Sequence, residues 1–406
     1  MPSQSKLLGD LISAAGTVSV SGSNLVANTV ANSAFQTGSV ENYFNAQGLS
    51  IGRNRIINGD MRIDQRNAGA SVTVLTTTGY TLDRFDAVAS VSSKYSVQQN
   101  AGSVTPPAGF TNYFGVTSLS AYTVGAGDYF FVRQKIEGYN VADLAWGTAN
   151  AKTITLSFWV RSSLTGTFGG ALTNSGDTRS YPFSYTISSA NTWEQKTITI
   201  AGDTSGTWLT TNGVGIEVRL GYGTGSTYSG TAGAWASANI VQPTGTTSVV
   251  GTNGATFYIT GVQLEVGSTA TPFERRMYGQ ELALCQRYFE TNFSGVAIPT
   301  NNYSYYLNAA VGSNTYAGGV NAAQQILGPI MYNVFKRASP TVTIYSYTSS
   351  STARVSNGWT GADFAANSGV IAVSSYNGFA FYNGTGSNIT TGGYAVILNY
   401  AASAEL

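Results

Sequence analysis

The sequence predicts a mainly β protein built around an antiparallel β-sandwich of the jelly-roll type, followed by a short helix and a second β-rich region. Three observations predict this fold class. Short runs with alternating apolar residues lie between glycines and Asn-Gly pairs from Asn54 to about Arg275. Aromatic residues make up 12% of the chain, enough to bury a core. Charged residues make up only 10%, yet no apolar run approaches the roughly 18 residues of a membrane-spanning helix.

Residues 1–53 form a low-charge segment rich in small residues, which we predict to attach the chain to another protein. A short alternation over 17–21 suggests a strand, but the segment has too little bulk for a core of its own. Leu25, Val26 and Phe35 would stay exposed to water unless another surface covered them. The segment is therefore expected to become ordered by docking.

Residues 54–275 are predicted to form the β-sandwich. The run TITLSFWVR shows the pattern, because its alternation places four apolar side chains on one face: Ile154, Leu156, Phe158 and Val160. Trp159 and Arg161 then point to the other face. Strands of this kind at short spacing are typical of a sandwich or jelly roll.

A charged stretch, residues 276–290, is predicted to be a helix that joins two β regions. Its residues are mostly good helix formers, and Leu282, Cys285 and Phe289 recur at helical spacing to form one apolar stripe. A helix of roughly 14 residues is marginal alone, so the stripe must pack on something. It either lies on its own domain or packs against copies of itself around a symmetry axis.

Residues 291–406 are predicted to form a β-rich tip domain. This region holds eleven tyrosines and only five charged residues. Tyrosine rings with asparagine and serine side chains suit adaptable polar recognition, for example of sugars. The alternative is that the tyrosines are strand formers in contacts between subunits.

The composition excludes several classes of function. The chain has no histidine, which removes serine and cysteine triads that need histidine, and histidine-ligated metal sites. Its single cysteine, Cys285, cannot form a disulfide within the chain and has no histidine to activate it. The net charge of +1 gives no electrostatic basis for binding nucleic acid or an anionic membrane surface. Since no apolar run is long enough to span a bilayer, we also predict no membrane insertion.

Paired carboxylates remain as possible catalysts. A glycan hydrolase would need two of them about 5–10 Å apart. The sandwich offers four acidic candidates: Asp83, Asp86, Glu137 and Glu217. The tip offers only Asp363 and Glu405, so we predict no enzyme activity and keep the hydrolase as an alternative.

A series of motifs resembles a widespread group of bacteriophage tail-fibre proteins, over residues 54–290 and at the end of the chain. In chain order they are NRIINGDMRIDQRNAG, TLDRFDA, VRQKIEGYNVADL, KTITLSFWVRSS, NTWEQKTITIAGD, FYITGVQLEVGSTATPFERRMYGQELALCQRYFE and ASAEL. The resemblance implies a jelly roll similar to carbohydrate-binding modules and a homotrimeric fibre.

The resemblance also implies a role. Residues 1–53 would dock on other tail or baseplate proteins of the virion. The C-terminal tip would recognise a host-surface receptor, either glycan or protein. The protein would be made in the host cytoplasm and reside in the virion as a tail fibre. A capsid or tail decoration protein of the same design is a further alternative.

Candidate functional residues follow from these expectations. The predicted receptor-binding residues are Trp359, Tyr303, Tyr305, Tyr306, Tyr376, Phe379 and Tyr382. The predicted trimer contacts are Leu282, Cys285 and Phe289. Three tryptophans could bind sugar on the jelly roll instead: Trp146, Trp208 and Trp235. Trp159 and Trp193 are family positions that we interpret as packing residues.

Jelly rolls of this type often hold a structural calcium near an Asn-Gly-Asp opening, and Asn58 and Asp60 match that half of the site. The last strand departs from the pattern, because Thr260 and Gly261 stand where such modules commonly show aspartates. Calcium needs six or more oxygen ligands. We therefore favour Asp60 or Asp64 ordering a turn or pairing with an arginine, and predict no required cofactor.

Overall fold

The computed structural model describes residues 52–301, 306–307, 326–349, 351–352, 354, 356–357, 370–382 and 396–406. These residues belong to one compact unit, Gly52–Leu406. The docking segment lies almost wholly outside the described residues, and both its role and the sequence-based domain boundaries stay predictions. Within the described part of the chain, no helix is long and apolar enough to cross a membrane.

Two six-stranded antiparallel sheets form the sandwich, which confirms the predicted mainly β fold. Sheet 1 contains, in spatial order, Val72–Thr73 (β1), Tyr95–Gln99 (β4), Phe114–Ser118 (β5), Thr256–Val266 (β14), Ile154–Ser162 (β7) and Glu194–Ile200 (β10). Sheet 2 contains Tyr80–Leu82 (β2), Phe85–Ala89 (β3), Tyr129–Glu137 (β6), Val214–Thr224 (β11), Gly166–Thr173 (β8) and Ser180–Ile187 (β9). A short parallel pair, Ser229–Gly230 (β12) and Gln242–Pro243 (β13), lies beside them.

The core lies between the two sheets and is built by alternation along each strand. In β7 the four predicted inward side chains are at most 1% exposed, whereas Trp159 and Arg161 are only partly buried. Phe130 and Val132 of β6 enter the same core. The residues that alternate with them, Tyr129, Phe131 and Arg133, therefore face outward on sheet 2.

The opening and closing segments of the sandwich are tied to each other, and we call this contact the strap. The Glu274 carboxylate accepts hydrogen bonds from the backbone N–H groups of Gly52 and Asn54, each at 2.6 Å. Arg276 donates to the carbonyl oxygen of Ile56 at 3.1 Å. Glu281 accepts from the backbone N–H of Asn58 at 2.5 Å. The Asn-Gly opening and the Pro-Phe-Glu-x-Arg motif are thus two halves of one structural contact.

The junction helix is shorter than predicted and spans Tyr278–Gln286. Phe289 is not on the helix but in the strand Phe289–Thr291 (β15), which pairs with Asn399–Ser403 (β23). That partner lies more than a hundred residues away, so the periodicity of the local sequence could not reveal it. Cys285 and Tyr288 are fully buried against Ile57 and Ile63.

The C-terminal region is β-rich, and its described residues form three small antiparallel sheets. The first sheet contains β15, β23 and Thr341–Tyr345 (β18). The second contains Ile326–Met331 (β17), Gly378–Tyr382 (β21) and Val370–Ser374 (β20). The third contains Tyr306–Leu307 (β16), Val396–Ile397 (β22) and Ser356–Asn357 (β19). Their core includes Ile344, Phe379, Phe381, Leu398 and Tyr400.

The last residues of the chain are held against the sandwich, and we call Ala404–Leu406 the terminal latch. Glu405 forms ion pairs with Arg84, which is 1% exposed, and with Arg66 at 2.7 Å. The Leu406 carbonyl oxygen accepts from the Lys135 ammonium at 2.7 Å and from the Tyr80 hydroxyl at 3.1 Å. The ASAEL motif thus has a structural role in this contact.

Asp83 lies fully buried near the latch and accepts two hydrogen bonds from Gln65, at 2.7 and 2.5 Å. Burial raises the pKa of Asp83 from 3.8 to about 6, although Arg66 and Gln65 oppose the shift. The folded protein therefore binds the proton more tightly than the unfolded chain. Its contribution to stability is largest below pH 4 and is lost as the pH rises through about 6.

We expect the stability difference between wild type and Asp83→Asn to change by about 2.5 kcal/mol between pH 4 and pH 7. Wild type loses stability relative to the variant as the pH rises, because only wild type has a buried carboxyl at residue 83 that must ionise. Urea unfolding at one-unit pH intervals measures this difference. Parallel stability curves for the two proteins would contradict the assignment.

Candidate functional site

A cleft of about 220 Å³ opens on the outward face of sheet 2, and we call it the sheet-2 cleft. Strands β3, β6 and β11 supply its floor. The turn between β8 and β9 and the segment 228–241 supply its walls. The lining residues are Val88, Tyr129, Phe131, Arg133, Asp177, Arg219, Tyr228, Asn239 and Val241.

Aromatic rings form one side of the sheet-2 cleft. Tyr129 and Tyr228 meet edge to face with ring centroids 5.1 Å apart, and Phe131 lies 5.8 Å from Tyr129. The Arg219 guanidinium sits 5.3 Å from the centre of the Phe131 ring. A ligand that stacks on aromatic rings would therefore meet the two partly buried tyrosines rather than Phe131.

An ion-pair network forms the floor. The strand register places Asp86 beside Arg133, and Arg133 beside Arg219. Two adjacent arginines would repel each other, but Glu217 accepts hydrogen bonds from both. Arg133 is also bound to Asp86 at 2.8 Å, which leaves the network internally compensated.

Asp177 brings a carboxylate to the rim. It lies in the turn between β8 and β9 with φ of 54°, a left-handed conformation that Asp and Asn adopt more readily than most residues. The turn is fixed by Asn174, whose side-chain oxygen accepts from the N–H groups of Thr178 and Arg179. Asp177 pairs with Arg219 yet stays 43% exposed at its side chain.

The four carboxylates considered for hydrolysis are all occupied by partners within the chain. Asp83 is bound by Gln65, and Glu137 is 1% exposed and bound by Arg287 and by the Tyr288 hydroxyl. In the sheet-2 cleft, Arg133 lies between Asp86 and Glu217. This arrangement suits structural ion pairs rather than an acid and base that flank a glycosidic bond.

The environments of Asp86 and Glu217 nevertheless differ. Burial raises the pKa of Asp86 in spite of the neighbouring Arg133. Burial also acts upward on the pKa of Glu217, but the Arg219 and Arg133 guanidiniums outweigh it and lower that pKa. Glu217 is therefore the firmly ionised centre of the network.

The three tryptophans proposed as a sugar site meet at one end of the sandwich. Trp146 lies 4.8 Å from Trp208 and 5.2 Å from Trp235, with each pair near perpendicular. All three indole N–H groups donate to backbone carbonyl oxygens. The rings thus pack against one another and have no free indole donor for a sugar.

The predicted receptor-binding residues of the tip are not brought together by the described structure. Tyr376 is 52% exposed, in agreement with an outward role, but Phe379 is 1% exposed and packs on Tyr400. Phe379 is therefore a core residue, and its assignment to the receptor surface was wrong. Tyr306 and Tyr382 lie on strands, whereas Trp359, Tyr303 and Tyr305 lie outside the described residues.

The predicted trimer contacts are used within the chain. Cys285 is fully buried and Phe289 is 4% exposed, and Leu282 packs on the same cluster as Cys285. Burial also raises the pKa of the Cys285 thiol, which makes it inert. These contacts favour the alternative in which the helix lies on its own domain, with Cys285 and Phe289 covered by their own chain.

The residues considered for calcium have other partners. The Asn58 side chain bonds to Ile63 and to the carbonyl oxygen of Asp83, and Asp60 forms an ion pair with Arg62 at 2.5 Å. Gly261 has φ of 63°, and a Cβ there would lie 2.7 Å from Phe110. A side chain at that position would therefore be strained, which disfavours an aspartate ligand there.

Both acidic side chains do what the alternative to calcium binding predicts: they order a turn or pair with an arginine. Asp64 orders a turn by accepting from the N–H groups of Asn67 and Gly69 at 2.9 and 2.7 Å, while Asp60 pairs with an arginine. Among the described residues, no group of three or more acidic or cysteine side chains is arranged to hold a metal ion.

No protein-family model and no curated protein sequence matches the chain. Among solved structures, the enzymatically active domain of bacteriophage CBA120 tailspike protein 4 is similar at 12% identity and a TM-score of 0.28. The similar region covers 53% of this chain and 21% of the tailspike, about a fifth of its length.

Two carbohydrate-binding modules are also similar to the chain. A CBM4 module has 15% identity and a TM-score of 0.26, with 52% of this chain and 98% of the module covered. TmCBM61, solved with β-1,4-galactotriose, has 11% identity and a TM-score of 0.26, with 53% and 99% covered. The α-L-arabinofuranosidase MgGH51 is similar at 14% identity and a TM-score of 0.27, and the similar region covers 50% of this chain and 26% of the enzyme.

Sequence reasoning missed most of the sheet-2 cleft. The alternation in YFFVRQKIEG could have placed Tyr129, Phe131 and Arg133 on one outward face. Asp177, Tyr228 and Asn239 carry no local signal, because turns far apart in sequence bring them to the same place.

Proposed function

We propose that the protein is a virion-borne attachment protein of the tail-fibre type that binds a host-surface glycan. The observation that carries the proposal is the sheet-2 cleft, where tyrosine rings stand beside paired donors and acceptors. Sugars present apolar C–H faces and hydroxyl groups at once, and this combination matches both. The ordered motifs that resemble tail-fibre proteins support the virion-borne part.

Two further parts of the proposal rest on the sequence. The chain forms a homotrimer and docks on other virion proteins through residues 1–53. The tip adds a second receptor contact through Tyr376 and the predicted residues beyond the described part. Because the helix stripe is buried within the chain, the subunit contacts must come from other surfaces. Light scattering of the full-length protein tests the trimer, with an expected mass of three times 42.5 kDa.

The hydrolase alternative has less support. Each candidate carboxylate in the sandwich is bound by arginine, glutamine or tyrosine side chains. A binding protein needs no free acid and base, and repetition of weak sites in a trimer raises the effective affinity.

We expect Tyr228→Ala to weaken glycan binding by about 10- to 100-fold, since a stacked ring contributes on the order of 1–3 kcal/mol. Tyr228 is only partly buried, so the variant should unfold within a few degrees of wild type. Binding to intact host cells or to a glycan array measures the effect.

The matched control is Tyr139→Ala, which removes a 62% exposed tyrosine outside the sheet-2 cleft. It should leave binding unchanged. Equal binding by Tyr228→Ala, Tyr139→Ala and wild type, all folded, would remove the cleft from the receptor site.

A further inference from the structure

The size of the sheet-2 cleft limits what it can hold. Its volume of about 220 Å³ is below the roughly 300–1,000 Å³ of pockets that bury a drug-sized ligand. Tyr129 and Tyr228 bound one side, and Asp177 and Asn239 stand at the rim with them. The space suits one sugar ring rather than a stretch of polysaccharide.

The charges of the sheet-2 cleft are already compensated. Arg133 is shared by Asp86 and Glu217, while Arg219 is shared by Glu217 and Asp177. The next cation along β6, Lys135, donates to the carbonyl oxygen of Leu406. No cation is left in excess, and the most exposed charge is the Asp177 carboxylate, 43% exposed. An acidic sugar would meet this carboxylate without gaining a new counter-charge.

The sheet-2 cleft offers a ligand both a hydrogen-bond donor and hydrogen-bond acceptors. Arg133 donates hydrogen bonds from Nε to Asp86 and from Nη1 to Glu217. Its Nη2 group has no hydrogen-bond partner among the described residues. The Asp177 carboxylate has two partners, Arg219 and Asn239, although its oxygens can accept about four hydrogen bonds. Adjacent hydroxyl groups each donate and accept, so they fit such a rim better than any group with a full charge.

We propose that the sheet-2 cleft takes a single uncharged sugar residue, at the end or on a branch of a glycan. Its adjacent hydroxyls bond to Asp177, Asn239 and Arg133, and its C–H face lies on Tyr228. This inference rests on the proposed glycan-binding function and specifies its ligand.

The test uses an array of neutral mono- to tetrasaccharides and of matched saccharides that end in uronic or sialic acid. The full chain is applied as wild type, Tyr228→Ala and Asp177→Asn. Asn also adopts the left-handed conformation of residue 177, so this variant removes the charge and keeps the turn. For each neutral sugar bound, titration then compares its methyl glycoside with the tetrasaccharide.

We expect binding to neutral sugars, with methyl glycoside and tetrasaccharide affinities within about threefold. Tyr228→Ala should weaken this binding by about 10- to 100-fold. Asp177→Asn should weaken it about tenfold, as expected for a lost charge-assisted hydrogen bond. Asp177→Asn should also reduce the discrimination against acidic sugars.

Four other results would each overturn the inference. Binding confined to acidic sugars, or affinity that rises more than tenfold with chain length, would refute the single neutral residue while leaving glycan binding intact. Binding that neither variant changes would place the sugar elsewhere on the chain. Binding to no saccharide on the array would refute the proposed function together with this inference.

Discussion

Glu405→Ala is expected to lower the free energy of unfolding by about 3–5 kcal/mol, one of the two largest effects proposed for this chain. The substitution leaves the Arg84 guanidinium, 1% exposed, without its carboxylate. Arg84 also stacks 3.6 Å from the centre of the Tyr288 ring, so it cannot move out to water without losing that packing. Arg66 loses the same partner.

Chemical unfolding followed by tryptophan fluorescence measures this loss. The control is Asp143→Ala, which breaks an ion pair with Arg55 whose side chains are 44% and 22% exposed. Exposed pairs contribute about 0–1 kcal/mol, so the control should stay close to wild type. Similar small losses for both variants would mean that the terminal latch does not hold Arg84 in solution.

Lys336→Ala is expected to cost a comparable amount, about 3–5 kcal/mol, but in the C-terminal region. Lys336 and Glu290 both have fully buried side chains and lie 2.5 Å apart. Burial lowers the pKa of Lys336, against the opposing effect of Glu290, so the ammonium depends on this partner. Without it, Glu290 keeps only neutral donors from Asn333 and Tyr400.

The double variant Lys336→Met with Glu290→Gln tests the explanation. It removes both charges and keeps similar volume and an acceptor for Asn333, so it should recover most of the stability. Hydrogen exchange of peptides covering 289–345 and 396–406 locates the effect. A double variant as unstable as the sum of the single changes would show that the two side chains act independently.

Local patterns predicted the sandwich well because alternation determines which face of a strand is buried. Ile154 and Phe158 were placed correctly for that reason. The same rule applied to Gly378–Tyr382 would have placed Phe379 and Phe381 together in a core, whereas the aromatic composition suggested a surface. The helix was extended too far because the pairing of Phe289 with β23 is not visible in local sequence.

The candidate site was harder to predict. Tyr129 and Arg133 share an outward face that alternation can reveal, but their partners depend on the register of β3, β6 and β11. Asp177 and Tyr228 enter through turns, whose positions follow from the tertiary fold alone. The Asn-Gly and Pro-Phe-Glu-x-Arg motifs were visible as separate signals, and only the structure joins them in the strap.

The strap has a mechanical consequence. A tensile load applied between Gly52 and β15 would act on the hydrogen bonds that join Glu274, Arg276 and Glu281 to the opening segment, and on the junction helix that follows them. The bonds from Glu274 and Glu281 lie in parallel, so they share the load. The opening segment is also bonded directly to both sheets, because Asn54 bonds to Val262 and Leu264 of β14 and the N–H of Ile57 donates to Gln134 of β6. Pulling Gly52 away from β15 would therefore have to break the strap together with these bonds to the sheets, so the two ends of the sandwich resist separation as one unit.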